Sequence, residues 1–438
     1  MRLAYPAPLR WQMMKHASPL RKWLQEYAQH QRPTGEALRQ VASRPGAASG
    51  YREQDDLAEF LPYGPPDDQG RPICEILATC GEVEAEYAAI RRGAALLDCP
   101  NRGTLIVTGA DRRDFLNRMV TQELKDVAPG CVREGFLLNR KGRIEADLRL
   151  IEFGDLTVID VDVHQVDATV RMFEGMLFSE DVEVRDACDQ WCHIEIHGPR
   201  ALELLGAATD TGPAELAPGR AVSLRLGESD ELFVARVDQT GETGLVLLVP
   251  RVRVIDVWST LAGVDERLDG GRRRMRPIGW FAYNIARIEA GMPLMNIDFG
   301  TASLPHETGL LRQRVSFTKG CYPGQEVVAR MEHLGRPKQV LAGLRMQDDV
   351  LPVAGMPVYE HTEAGAGGAI GEITSSTMSP MLGSAAIAFA RLRTTHADEG
   401  ATVMVSDQES RALATVQALR FLPETVATPA TGARAGGV

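Results

Sequence analysis

Residues 91–119 read RRGAALLDCPNRGTLIVTGADRRDFLNRM, and the unit that recurs along the chain is legible within them. Residues 104–108 (TLIVT) are apolar and β-branched between Gly103 and Gly109, which predicts a strand. Gly109 ends it, and Asp111 stands where a helix N-cap belongs. Phe115, Leu116, Met119, Val120 and Leu124 then recur at helical spacing. Just upstream, residues 86–98 (EYAAIRRGAALLD) predict a short helix that runs into the apolar start of another strand. Strand, tight turn and helix form the unit.

Outward from this stretch, strands are expected at residues 136–138 and 147–151, joined by the polar turn NRKGR. Residues 155–163 predict another strand and residues 169–178 another helix. From Trp191 the pattern restarts, with the strand CHIEI, then Gly198-Pro199, then the apolar helix ALELL. Such units mixed with hairpins indicate α+β domains and not a doubly wound sheet. Pro277 is placed as the first residue of a helix bearing Phe281, Ile285 and Ile288, stopped by Gly291 and Pro293. Beyond about residue 336, short strands alternate with Gly, Pro and Ser turns, which predicts a small β-barrel or sandwich. The expected division is an N-terminal extension and linker (1–70), two parts of an α+β region (71–188 and 189–335), a β-barrel domain (336–425) and a disordered tail (426–438). Within the first of these, the Gly- and Pro-rich residues 44–70 read as linker.

Composition narrows the function. A chain of 438 residues with 44% hydrophobic and 24% charged residues fits a soluble multidomain protein. No apolar run reaches the roughly 18 residues of a membrane helix, so no membrane partner is expected. The net charge of −11 argues against a nucleic-acid partner, whose phosphates call for clustered cations. Seven cysteines without a CxxC pair suit a reducing compartment. The acid-poor N-terminus, with Arg2, Arg10, Lys15, Arg21 and Lys22, is either a transit peptide or a basic helical extension. A cytoplasmic location is expected, with the mitochondrial matrix as the alternative.

Several residues can carry chemistry. Asp147 is an acid inside an apolar strand, and alternation sends Ala146 to the opposite face. It is either a general base or amine anchor, or a carboxylate satisfied by a backbone or Arg partner. The run Lys319-Gly320-Cys321-Tyr322-Pro323-Gly324-Gln325-Glu326 packs two glycines and a proline into a tight loop. Its cysteine, beside a lysine, is either an activated thiol or part of a structural turn. Arg287 and Glu242 are candidate anchors for a folate: a guanidinium fork suits its glutamate tail, and a carboxylate suits the amidine-like edge of a pterin. His193, Glu195 and His197 share one face of a strand; three ligands on one extended strand rarely converge on zinc, so a solvated face is expected and no metal.

The order of motifs from about Glu84 to Leu422 resembles the glycine-cleavage T-protein superfamily. Its pieces include the opening stretch, LLNRKGRIEADLRL, HIEIHGPRALELL, QTGETG, ARIEAGMP and GEITSSTMSPMLGSAAIAFA. Within it, SFTKGCYPGQEVVAR looks like the motif of the YgfZ branch. The resemblance implies three domains around a central channel that receives tetrahydrofolate, with a small C-terminal barrel. It implies a catalytic Asp147 acting on an aminomethyl amine and a folate nitrogen, and a functional thiol at Cys321. Cofactor contacts are implied for Glu242, Arg287, Asp160, Lys319, Tyr322, Gln325 and Glu326, with Asp160 standing where an asparagine is usual. One departure is plain: the last acid of T-G-E-x-G-x-E is replaced by Val246. The function implied is a folate-binding accessory protein for iron–sulfur client proteins. The alternative is a tetrahydrofolate-dependent aminomethyltransferase or methyltransferase using Asp147, and a scaffold that has lost folate is a third reading.

Overall fold

The computed structural model describes residues 17–30, 58–209, 215–226, 230–268, 275–348, 350–363, 365–406 and 411–423. The tail expected at 426–438, and Arg2, Arg10 and Lys15 of the basic segment, lie outside these. Arg21 and Lys22 open a helix, Arg21–His30, whose Leu20, Leu24 and Ala28 flank are fully buried. Burial of a leucine side chain stabilises by roughly 1.5–3 kcal/mol, so this helix is a structural part of the body it packs on.

An antiparallel ribbon follows, β1 (Glu59–Pro66) with β2 (Pro72–Thr79). The linker expected over 44–70 therefore contains a strand, because Phe60, Leu61 and Tyr63 find partners across the turn; residues 44–57 lie outside the description. After the helix Val83–Arg92 come β3 (Ala94–Asp98) and β4 (Arg102–Thr108), which enter different sheets. β4 joins β5 (Cys131–Leu138), β6 (Ile144–Glu152), β7 (Leu156–Asp162) and β8 (Glu183–Asp186) in the order β5-β6-β7-β4-β8. β3 joins β9 (Trp191–His197), β10 (Ala221–Leu226), β11 (Asp230–Arg236), β12 (Gly244–Pro250) and β13 (Met275–Ile278) in the order β10-β11-β12-β9-β3-β13. The four-strand cores β5-β6-β7-β4 and β10-β11-β12-β9 share one order in space, which is the structural counterpart of the pattern that restarts at Trp191. Because β3 completes the second sheet from within the first segment, the two α+β parts interlock.

Pro277 does not start a helix. It sits in β13, an edge strand parallel to β3, where an absent N–H is tolerated, and the helix begins three residues later at Trp280–Glu289.

Period-two alternation builds the layers. Leu105, Val107, Leu148, Leu150, Ile159 and Val161 face outward onto the helices Arg112–Met119 and Val166–Glu174. Ile194, Ile196, Leu245 and Leu247 of the second sheet face the helices Ala201–Ala208, Val254–Leu268 and Arg21–His30. The inner faces meet at one end through Ile106, Val132, Ile151 and Val158 against Phe233, Ala235, Val246 and Leu248. Toward the other end the same inner positions turn polar, and there the sheets leave a cleft.

The C-terminal strands β14 (Gln339–Met346), β15 (Pro357–Thr362), β16 (Gly365–Ser379), β17 (Ala385–Arg393), β18 (Thr402–Ser406) and β19 (Arg411–Gln417) close into a six-stranded barrel. Closure removes every sheet edge, and Leu344, Val358, Ala388 and Val405 fill the interior. The fold is α+β with a C-terminal barrel.

Candidate functional site

The cleft between the sheets encloses about 870 Å³, its mouth included. The first sheet contributes Arg102, Glu134, Asp147 and Arg149, and the second Leu97 and Glu195. The helix Trp280–Glu289 adds Trp280 and Tyr283, and the turn after it adds residues 292–295. That turn is forced: Gly291 has φ +75°, and a Cβ there would lie 2.7 Å from Arg420 Cα, in the segment that leaves the barrel.

Charges on the inner face alternate in one connected chain. Arg102 Nε donates to Asp160 at 2.7 Å, and Arg149 donates to the other oxygen of Asp160. Arg149 also pairs with Glu134 at 3.4 Å, Glu134 with Arg314 at 2.7 Å, and Arg314 Nε with Asp147 Oδ1 at 2.8 Å. Three guanidinium groups and three carboxylates balance, which is how this much charge is kept away from bulk water.

The environments set each carboxyl apart. At Asp160, fully buried, desolvation raises the pKa, but Arg102 and Arg149 outweigh it and hold the group at about 2. Glu134 is likewise held below its ordinary range, against burial, by Arg314 and Arg149. Asp147 goes the other way: burial raises it, Arg314 opposes, and the neighbouring charge of Glu134 raises it further. Asp147 is thus the member of the chain best suited to exchange a proton. Its Oδ2 accepts no hydrogen bond among the described residues, so that oxygen is left for a ligand.

Asp147 and Asp160 are brought together through this chain, with Asp160 behind the cleft wall and Asp147 facing the cleft. The other residues singled out in the sequence stand elsewhere. Arg287 does not reach the cleft: it is fully buried, donating to Asp298 at 2.7 Å, Ser375 at 2.7 Å and Asn284 at 2.9 Å. Those bonds fasten its helix to the barrel, so a folate tail has no free fork there. Glu242 pairs with Arg91 at 3.3 Å outside the cleft lining.

Lys319 donates to the carbonyls of Asn117, Val120 and Gln122 at 2.5, 2.6 and 2.9 Å. Its ammonium caps the end of the helix Arg112–Met119, and burial lowers its pKa to about 8. All three donors are committed there and none is left for a cofactor. Tyr322 packs beside it, 5.2 Å from ring centre to Nζ. Gln325 Oε1 accepts from the Tyr322 N–H at 3.0 Å and closes the loop on itself, while Glu326 occupies the first turn of the helix Gln325–Leu334. Gly324 has φ +80°, and a Cβ there would meet the Asn139 carbonyl at 2.6 Å. The KGCYPGQE loop is therefore seated on the hairpin turn that leads into β6 and Asp147. Cys321 itself is exposed and lies outside the cleft lining.

His193, Glu195 and His197 do not form a solvated face. They lie on the inner face of β9 and are buried, with His193 Nε2 2.8 Å from Thr104 Oγ1 and His197 Nε2 2.9 Å from Glu195 Oε2. Among the described residues no three His, Cys, Asp or Glu side chains converge as metal ligands, and no helix is long and apolar enough to cross a membrane.

Residues that sequence reading passed over are Arg102, Glu134, Arg149, Gln239, Tyr283 and Arg314. Arg149 had a signal, since it lies two residues beyond Asp147 on the same strand face. Arg314 had none, because it ends the four-residue helix Leu311–Arg314.

Two interlocked sheets with a cleft between them and a closed barrel behind describe a class of architecture that recurs among known proteins. The crystal structure of glycine cleavage system aminomethyltransferase T from Bartonella henselae superposes with a TM-score of 0.72 at 21% identity, covering 84% of this chain and 95% of that one. The GCVT N-terminal domain profile matches residues 77–319, and that of the glycine cleavage T-protein C-terminal barrel domain matches residues 339–422. An aminomethyltransferase of Streptomyces coelicolor is 31% identical over 333 residues, covering 73% of this chain and 84% of its own. One from Corynebacterium jeikeium is 28% identical over 358 residues, covering 77% and 89%. The chain belongs to the glycine cleavage T-protein family. Aminomethyltransferases of that family bind tetrahydrofolate.

Proposed function

We propose that this protein is a tetrahydrofolate-dependent aminomethyltransferase. The observation that carries this reading is Asp147: a carboxyl with raised pKa at the cleft surface, one oxygen fixed by Arg314 and the other open. The cleft suits the cofactor in chemistry, with Trp280 and Tyr283 as aromatic walls and a buried carboxylate, Glu195, facing the same space. Tetrahydrofolate, when bound, supplies the nitrogens that take up the one-carbon unit. Arg314 fixes the rotamer of Asp147, and Asp147 Oδ2 holds or accepts the proton that the transfer displaces.

Tetrahydrofolate at one hundred times its Kd is expected to stabilise the native state by about 2.7 kcal/mol, read as a rise in melting temperature with ligand concentration. No rise at millimolar tetrahydrofolate would sink this reading.

A second reading is a YgfZ-type accessory role toward iron–sulfur proteins, favoured by Cys321. Of the seven cysteines four are buried, two are partly buried, and Cys321 is exposed. Burial pushes the thiols of Cys74 and Cys192 up to about 12, out of the reactive range at neutral pH. Competitive alkylation followed by mass spectrometry should therefore label Cys321 first. If Cys321 labels no faster than the buried Cys99 and Cys131, this second reading is lost.

A further inference from the structure

The charge chain takes up Asp147, Asp160 and Glu134 of the first sheet; of the other cleft carboxylates, Asp98 accepts from Ser18 and Asp162 from Tyr63, which leaves Glu195 on the second sheet. Glu195 is 4% exposed and lines the cleft. His197 donates to its Oε2, while Oε1 has no hydrogen bond among the described residues. No guanidinium forms an ion pair with it, and its cross-strand neighbours are apolar, Leu97 on β3 and Val246 on β12. Against burial, the hydrogen bond from His197, its electrostatic interaction with that ring and the more distant charge of Arg149 hold the Glu195 carboxyl below its ordinary range, so it is ionised at neutral pH. A buried, ionised oxygen without a donor is costly unless a ligand supplies one.

The surroundings say what kind. Tyr283 packs its ring 5.3 Å from that of His197 and donates its hydroxyl to Gln239 Oε1 at 3.1 Å. The carbonyl of Gln239 is thereby spoken for, and its Nε2 amide, with no partner among the described residues, is available to donate. Gln239 is 8% exposed and lines the cleft as well. Trp280 stands 5.8 Å from Tyr283, ring to ring and tilted by 47°, and lines the cleft as well. A carboxylate beside an amide donor reads an edge that offers two adjacent N–H groups and then an acceptor.

We propose that Glu195 and Gln239 form the recognition site for a 2-amino-4-oxopyrimidine edge, with Glu195 taking the ring N–H and amino group and Gln239 donating to the oxo group. This rests on the folate reading for its choice of ligand, since tetrahydrofolate carries that edge, but guanine carries it too. It resolves the loss of an acid at position 246. Val246 and Glu195 are directly paired in adjacent strands and share a face, so a carboxylate at 195 serves the patch that an acid at 246 would serve. A ring held there from the second sheet presents its far side to the first, where Asp147 stands.

The test is calorimetric titration of the full chain with tetrahydrofolate, 6-methyltetrahydropterin, p-aminobenzoylglutamate and guanosine. Glu195→Gln should weaken tetrahydrofolate and 6-methyltetrahydropterin on the order of 10- to 100-fold, the loss of charged hydrogen bonds. Binding of p-aminobenzoylglutamate, which lacks the edge, should not change. Gln239→Leu should weaken the same two ligands by about fivefold, and it keeps the test open if Glu195→Gln folds poorly. Tetrahydrofolate binding within twofold of wild type in both variants overturns the proposal and leaves the folate reading standing. Guanosine that binds through Glu195 while tetrahydrofolate does not bind supports the edge and removes the folate reading. Equal weakening of p-aminobenzoylglutamate also overturns the proposal, because it marks a general loss of the cleft.

Discussion

Asp147→Asn is expected to lower aminomethyl transfer to tetrahydrofolate by roughly 10²- to 10⁴-fold, the usual contribution of a positioned acid–base group, with the fold retained. Asparagine keeps the volume and one acceptor for Arg314 Nε, and Arg314 keeps Glu134, so the substitution removes a proton site without stranding a buried cation. The wild-type profile of kcat/KM against pH carries a second check. Burial and the negative charge of Glu134 raise the Asp147 pKa, so the limb it governs should lie above the ordinary carboxylate range. Glu134→Gln removes a raising charge and leaves Arg314 wholly to Asp147, so that limb should move to lower pH. Transfer by Asp147→Asn at more than a tenth of the wild-type rate would rule Asp147 out as the proton site. An unmoved limb in Glu134→Gln would show that the charge chain does not tune it.

The second large effect is on stability. Asp160→Asn should cost about 3–5 kcal/mol, because it leaves Arg102 and Arg149 without their shared counter-charge inside the protein. The sign with pH follows from the depressed pKa, about 2 folded against 3.8 for the free side chain. Stability from Asp160 is fully present above about pH 4 and is lost as the pH falls through the folded value. Urea midpoints measured from pH 6 down to pH 2 should therefore decline more steeply for wild type than for Asp160→Asn. A variant that loses less than 1 kcal/mol, with the same acid slope as wild type, would mean the inner-face charges are solvated and not mutually held.

Both expectations depend on facing, and facing shows where local sequence stops being informative. The strand at TLIVT, the hairpin at NRKGR, the restart at Trp191 and the barrel beyond residue 336 were all legible, because period two, period 3.6 and turn chemistry are local properties. The inward aspect of Asp147 was legible for the same reason, given Ala146 and Leu148 on the other face. Pro277 misled because a proline suits either a helix start or an edge strand, and the pairing with Leu96 that decides between them is made by a strand some 180 residues away.

The site itself was mostly beyond local reading. His193, Glu195 and His197 were correctly placed on one face, but whether that face meets water or another sheet is settled only when β4–β8 packs against it. Arg287 has the residue type and setting of an anion anchor, yet tertiary packing brings Asp298 and Ser375 to its guanidinium and uses it up. Lys319 sits next to Cys321 in the chain but spends its charge on a helix end about 200 residues earlier. A carboxylate or a guanidinium acts through the partner it meets. Sequence supplies the groups and their faces, and only the packing of the two sheets chooses which groups meet.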